Sequence, residues 1–293
     1  MNWENDPQYA GTDPELKELW AVELDLLTKF SEVCDKYHLK WYADGGTLLG
    51  AVRHGGYIPW DDDIDIIMPY EDFICLCSHA DAFQEPYFLQ TWQTQDGFRP
   101  YACKLRKSHT TAYNDLEGHC PNDWHRGVFI DIFALCNIPD SRILAGTQWL
   151  IMKCIRALYL GYEAERDHRT VTDKPWLDWI LTVSYSLISR VCDYRQLADR
   201  YISIGGWQKG TCKRCGPMIF SPGNNKLIWE TVWFSKTIEF PFMHMEIPCP
   251  AGYDGRLKCQ YGDYMTPVNM STTHGKLEID LKHSYQELTD SKR

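Results

Sequence analysis

The segment Asp61-Asp62-Asp63-Ile64-Asp65-Ile66-Ile67-Met68 holds the residue types best suited to chemistry. From Asp63 onward acids alternate with aliphatic residues at the period of a strand. Asp63 and Asp65 then point to one face, and Ile64 and Ile66 point into a core. Carboxylates sharing a face repel one another unless positive charge stands between them. A hard divalent cation with a preference for oxygen ligands supplies that charge, so one or two Mg²⁺ ions are expected. Asp131 is the single acid in the strand-like run Val128-Phe129-Ile130-Asp131-Ile132-Phe133. Burying it unpaired would cost on the order of several kcal/mol, and a third metal ligand at a strand end accounts for it. Taken one at a time, these acids would better suit a solvated turn at Asp61-Asp62-Asp63 and an unrelated ion pair at Asp131.

Gly45-Gly46-Thr47 changes that balance. A strand over Leu39 to Ala43 is expected to break at Asp44-Gly45-Gly46 before a short helix over Thr47 to Arg53. Glycines let backbone amides approach a phosphate, and a helix N-terminus favours an anion. Thr47 would cap that helix or bond a phosphate oxygen. Arg53, Lys104 and Arg106 are candidate phosphate contacts, the last two on one strand face.

The elements around these residues follow from periodicity. Apolar spacing from Glu15 to Tyr37, after Thr12-Asp13-Pro14, predicts a long amphipathic helix. A helix over Tyr70 to Ala80 and strands over Tyr101 to Lys107 and Gly127 to Phe133 follow. Beyond Asp140 the pattern turns helical, with Ile143 to Tyr162 and Trp176 to Val191 joined by a polar loop over Glu163 to Lys174. After Gly205 short strands return, including Thr237 to Phe240, and Pro248 to Gly255 reads as turns.

A formal net charge of -10 argues against a nucleic-acid partner, which requires clustered cations. The start of the chain, Met1 to Ala10, lacks the basic and apolar regions of a signal peptide, and a cytoplasmic protein is expected. On that reading the 12 cysteines are reduced. Cys212-Lys213-Arg214-Cys215 has the spacing of half a structural Zn²⁺ site, with Cys249 and Cys259 as distant partners.

The run Tyr42-Ala43-Asp44-Gly45-Gly46-Thr47-Leu48-Leu49-Gly50-Ala51-Val52-Arg53-His54-Gly55-Gly56-Tyr57-Ile58-Pro59-Trp60-Asp61-Asp62-Asp63-Ile64-Asp65 resembles the signature of the LicD family, related to fukutin and the fukutin-related protein. The likeness extends to the preceding helix, Arg106, Gly127 to Phe133 and Tyr261-Gly262-Asp263-Tyr264-Met265, and is thin between Ser141 and Trp229. The family commonly has Pro after the Phe of the third-acid segment. Ala134 stands there in this sequence, which is expected to alter a turn.

The resemblance implies an α+β fold: a nucleotidyltransferase-fold catalytic core of mixed sheet and flanking helices, a helical region and a small C-terminal α/β segment. Residues 1–140 would form the core with its N-terminal helix, and 141–293 would complete the active site within one integrated domain. Gly45, Gly46 and Thr47 match the phosphate-contacting turn, Asp63 and Asp65 the metal pair, and Asp131 the third acid; Asp61 and Asp62 stand at the site edge. The implied reaction moves phosphocholine, or ribitol or glycerol phosphate, from a CDP-linked donor to a hydroxyl of a glycan, lipid-linked glycan or teichoic acid precursor, releasing CMP. Asp131 would accept the hydroxyl proton.

A true nucleotidyltransferase would use the same acids. A non-catalytic glycan- or choline-binding module would not need them, and the repeated aromatic units of such modules are absent from the sequence. Trp41, Tyr57, Trp60 and Trp92 lie near the signature and are candidates for a cage around a quaternary ammonium. Finally, Trp149 to Leu160, with Lys153 and Arg156, and Trp176 to Leu181 form apolar patches that would pack in the core or lie peripherally at the inner membrane face.

Overall fold

The computed structural model describes residues 6–114, 124–167, 172, 174–267 and 277–287. Asp13 caps the long helix α1 (Pro14–Tyr37), its side chain accepting from the Glu15 amide, and Pro14 pre-sets the first turn. The chain then runs through β1 (Tyr42–Ala43), α2 (Gly45–His54), β2 (Asp65–Pro69), α3 (Tyr70–Ser78), β3 (Tyr87–Gln90), β4 (Ala102–Lys107), β5 (Thr111–Asn114) and β6 (Phe129–Ile138). Three helices follow, α4 (Arg142–Asp167), α5 (Pro175–Ile188) and α6 (Tyr194–Gly205). The rest comprises β7 (Arg214–Pro217), β8 (Trp229–Glu230), β9 (Thr237–Phe242), β10 (Met245–Pro250), α7 (Tyr253–Tyr261) and β11 (Leu277–Asp280).

The main sheet is mixed, in the order β1-β2-β6-β4-β3, with β7 beside the far end of β6 and β8 beyond it. The expected α+β class with helices flanking a mixed sheet is the observed one. β2 and β6 run parallel, and Asp65 faces Asp131 in register. One face of this pair carries Ile64, Ile66, Met68, Ile130, Ile132 and Ala134 into the main core with α1 and α3. The other face carries Ile67 and Leu135 into a smaller core with Tyr42, Cys215 and Trp229. Alternation along both strands puts Asp65 and Asp131 on this second face.

Several boundaries differ from the periodicity. The acidic strand begins at Asp65, so Asp61 to Ile64 is a connecting segment held against the sheet by the Asp131 amide, which donates to the Ile64 carbonyl at 2.9 Å. Ala134 is buried within β6 and makes no turn: the strand continues four residues further, because β7 takes up its later hydrogen bonds. Pro248, Cys249 and Pro250 belong to β10, paired with β9 in a two-stranded ribbon whose edges tolerate proline. α4 extends through the expected loop as far as Asp167.

The two apolar patches differ in burial, although the helices that carry them pack together. Met152, Ile155 and Tyr159 of α4 are buried, with Trp149, Ile151 and Leu158 packed against them, so this patch is core apart from the exposed Leu150. On α5, Trp176 and Trp179 are 61% and 68% exposed. No helix among the described residues is long and apolar enough to cross a membrane.

Candidate active site

The acids converge because the backbone around them is tied together. The Asp44 amide donates to the Asp65 carbonyl at 3.0 Å, and the Asp65 amide donates to Thr47 Oγ1 at 2.9 Å. Thr47 is therefore committed: it is buried and holds the acid strand, and the N-cap position of α2 belongs to Asp44. From the other side, Trp20 of α1 donates its indole N–H to the Asp61 carbonyl at 2.8 Å and stacks on Tyr57 at 4.7 Å. Tyr57 donates to Glu23 Oε2 at 2.9 Å.

One ligand oxygen from each of Asp61, Asp62 and Asp63 lies within 4.8 Å of the others. Burial pushes the Asp61 carboxyl up to about 8, aided by the charges of Asp63 and Asp62 and opposed by Arg53. Asp65 is held well above the carboxylate range by burial first, then by Asp63, Asp131, Asp44 and Asp61. Glu23 is raised by burial, against the hydrogen bond from Tyr57. Such a set of close oxygens, disfavoured as bare anions, fits a hard divalent cation.

The glycines fit the same picture in an unexpected way. A Cβ on Gly45 would stand 2.5 Å from Asp65 Oδ2, and one on Gly46 would overlap Asp61 Oδ2. Gly45 also has a φ of 54°, in the left-handed region. The close approach that these residues permit is to carboxylates of their own chain.

The cations divide. Lys104 lies opposite Asp131 across β4 and β6, with Nζ 3.3 Å from Asp131 Oδ1. Arg106 shares that face, and both cations lie over the Phe129 ring. Its guanidinium is buried, donating to Gln90 Oε1 at 2.5 Å and to the Gly127 carbonyl at 2.9 Å, so it braces strands away from solvent. Arg53 is partly buried near Asp61, donating to His54 Nε2 and to the Tyr264 carbonyl, each at 2.9 Å. Trp41, Tyr57 and Trp92 are buried; Trp60 is exposed.

Sequence reasoning missed Arg256 of α7. It is buried, donates from Nη2 to Asp44 Oδ2 at 2.8 Å, and lies 3.9 Å over the Trp229 ring. Its Nε and Nη1, and Asp44 Oδ1, have no hydrogen-bond partner. Tyr261 of the same helix is raised by burial and by the charges of Asp65 and Asp44. An arginine in α7, two residues before Lys258, carries no spacing signal. Glu23 did carry one, as an acid within the apolar stripe of α1.

A cavity of ≈ 1200 Å³ opens elsewhere, past the C-terminal end of β2, lined by Pro69, Leu135, Asn137, Cys212, Cys215 and Phe234. None of the clustered acids lines it. Among the described residues no third ligand joins Cys212 and Cys215 within 4.8 Å. The thiols of Cys249 and Cys259 donate to the carbonyls of Ile247 and Asn225.

Residues 38–143 match the family LicD/FKTN/FKRP, nucleotidyltransferase domain. The chain is 27% identical to lipopolysaccharide cholinephosphotransferase LicD of Haemophilus influenzae over 273 residues, 85% of this chain and 91% of that protein. It is 49% identical to an uncharacterised protein of Rickettsia typhi over 60 residues, 20% of this chain and 19% of that one. Over 34 residues it is 50% identical to human ribitol 5-phosphate transferase FKRP, 12% of this chain and 7% of that protein. The glycine turn, the acidic segment and β6 all fall within the matched span, so it is over the elements that carry the site that the chain resembles the LicD family.

Proposed function

We propose that this protein transfers a phospho-substituent, phosphocholine first among the candidates, from a CDP-linked donor to a hydroxyl of a glycan or lipid-linked glycan, releasing CMP. The observation that carries the reading is the gathering of acids at one end of a parallel strand pair: Asp61, Asp62 and Asp63 bring ligand oxygens within 4.8 Å of one another, and Asp65, in register with Asp131, feels the charges of Asp63, Asp131 and Asp61. It is supported by the likeness to a cholinephosphotransferase over most of the chain.

Asp61, Asp63, Asp65 and Asp131 would hold one or two Mg²⁺ ions, which supply charge neutralisation for the donor diphosphate when bound. Lys104 orients Asp131 through their ion pair and offers a donor to a phosphate oxygen. Asp131, whose side chain keeps about one-fifth of its surface, takes the proton of the acceptor hydroxyl. Arg53 sets the charge balance at Asp61. The buried Arg256 acts through Asp44, holding the start of α2 against the acids. Trp60 is the exposed aromatic beside the acidic segment and would stack on a choline headgroup.

Incubation with CDP-choline, CDP-ribitol and CDP-glycerol, with and without Mg²⁺, tests the reading. Mg²⁺-dependent CMP release with one of them is expected. Pyrophosphate release from CTP, with no CMP from any CDP-alcohol, would replace it with true nucleotidyl transfer.

A further inference from the structure

α5 has two unlike faces. Inward, Tyr185 meets Tyr162 of α4 with ring centroids 5.3 Å apart, and Gly161 lets the Leu181 carbonyl approach so closely that a side chain would not fit. Outward, Trp176, Trp179, Ile180, Val183 and Leu187 are exposed. Their spacing places them on one stripe, about 17 Å long at the helical rise.

The charge around this stripe is as selective as its composition. The protein has a net charge of -10. Yet from Lys174 to Val191 the exposed charged side chains are Lys174 and Arg190, one at each end of the helix. Asp178, the acid in that span, is turned inward and buried. An apolar stripe ending in tryptophans and flanked by cations, with the helix's own acid turned inward, complements a surface that is hydrocarbon beneath and anionic above. Indole rings suit the headgroup level, where the ring is buried and its N–H stays wet. α5 has 14 residues, too short to span, which leaves an orientation in the plane.

We propose that α5 docks flat on an anionic phospholipid surface, with Trp176, Trp179, Ile180, Val183 and Leu187 at the headgroup–acyl boundary and Lys174 and Arg190 on lipid phosphates. This surface is independent of the carboxylate site and of the reaction assigned to it.

The full chain would be sedimented with phosphatidylglycerol–phosphatidylcholine vesicles and with phosphatidylcholine vesicles, and its oligomeric state measured without lipid. Binding to the anionic vesicles is expected, weakened about tenfold or more by Trp176→Ser with Trp179→Ser. Lys174→Glu with Arg190→Glu should erase the preference for anionic over neutral vesicles. Both variants should keep the parent's thermal midpoint, because the replaced side chains face water. No binding to either vesicle overturns the proposal, as does binding untouched by the tryptophan substitutions. A dimer dissolved by those substitutions, without vesicle binding, would assign the stripe to a second copy of the chain. A large fall in midpoint would show that the stripe is covered within the chain.

Discussion

At the acidic end of the sheet, Asp61, Asp63, Asp65 and Asp131 are drawn together into partly buried positions, whereas along α5 Trp176, Trp179 and Leu187 are held out in water. Both arrangements oppose stability, one by crowding charge and the other by exposing apolar surface. They differ in how firmly they are held. The acids are fixed by bonds from three directions, through Thr47, Trp20 and the Asp131 amide. The α5 stripe is fixed only by the helix whose opposite face packs on α4. Chemistry on a diphosphate needs atoms placed within a fraction of an ångström, while a docking face needs area and sign.

The largest effect should come from the acids. Asp65→Asn or Asp131→Asn is expected to lower transfer about 10³-fold or more, and the double variant should lose little beyond that. Without divalent cation Asp65→Asn should unfold no more easily than the parent, since it removes a carboxyl crowded by Asp63, Asp131, Asp44 and Asp61, whereas Asp131→Asn also gives up the ion pair with Lys104. A metal-free Asp65→Asn variant much less stable than the parent would make that acid structural and collapse the contrast with α5.

Next is the buried pair behind them. Arg256→Met strands Asp44 in the interior and should cost about 3–5 kcal/mol in urea unfolding. Adding Asp44→Asn should return part of that loss. If it returns none, the guanidinium stabilises through Trp229 alone.

Gly46→Ala should weaken Mg²⁺ binding and activity by about 10- to 100-fold, the range for residues that orient metal ligands. A β-carbon there displaces Asp61. Unchanged Mg²⁺ affinity with weaker donor binding would restore the expected phosphate turn.

The pH dependence is smaller, and its sign follows from the acids. Asp61 moves from an ordinary 3.8 to about 8 in the folded protein, so the fold binds its proton more tightly than the unfolded chain does. Stability therefore falls as pH rises through that window. His125 works oppositely on the acid side. Burial, then Arg106, pushes it from 6.5 down to about 3, so its contribution is lost as pH falls between those values. The span from 6.5 to about 8 isolates the acids. Metal-free protein should lose stability across it, and saturating Mg²⁺ should flatten the slope. A slope unaffected by Mg²⁺ would place the titrating groups away from the cation.

The acidic end was legible in the sequence because its information is local. Alternating acids and a glycine break lie within about twenty residues of each other, and strand periodicity alone puts Asp65 on one face. What escaped was the long-range part. Thr47 looked like a cap and instead holds Asp65; Arg106 looked like a phosphate contact and instead braces Gln90 and Gly127. Arg256 gave no sign, because its partner Asp44 lies 212 positions away. In the helical region the period predicted helices but not which stripe finds a partner. The stripe of α4 meets α6 and the core, and that of α5 meets neither.

The smallest predicted change tests that last distinction within one helix. Trp179 is 68% exposed and so gains little from folding. Lysine is the better helix former, so Trp179→Lys should alter stability by no more than about 0.5 kcal/mol. Tyr185, about one and two-thirds turns along and facing inward, packs on Tyr162 and Gly161. Tyr185→Ala should cost about 3 kcal/mol through lost burial and the cavity left behind. Urea unfolding of both variants, read at one wavelength and one temperature, gives the comparison directly. Equal losses would mean that α5 is covered on both sides, and its tryptophans would then belong to the core in the same sense as Trp149 of α4.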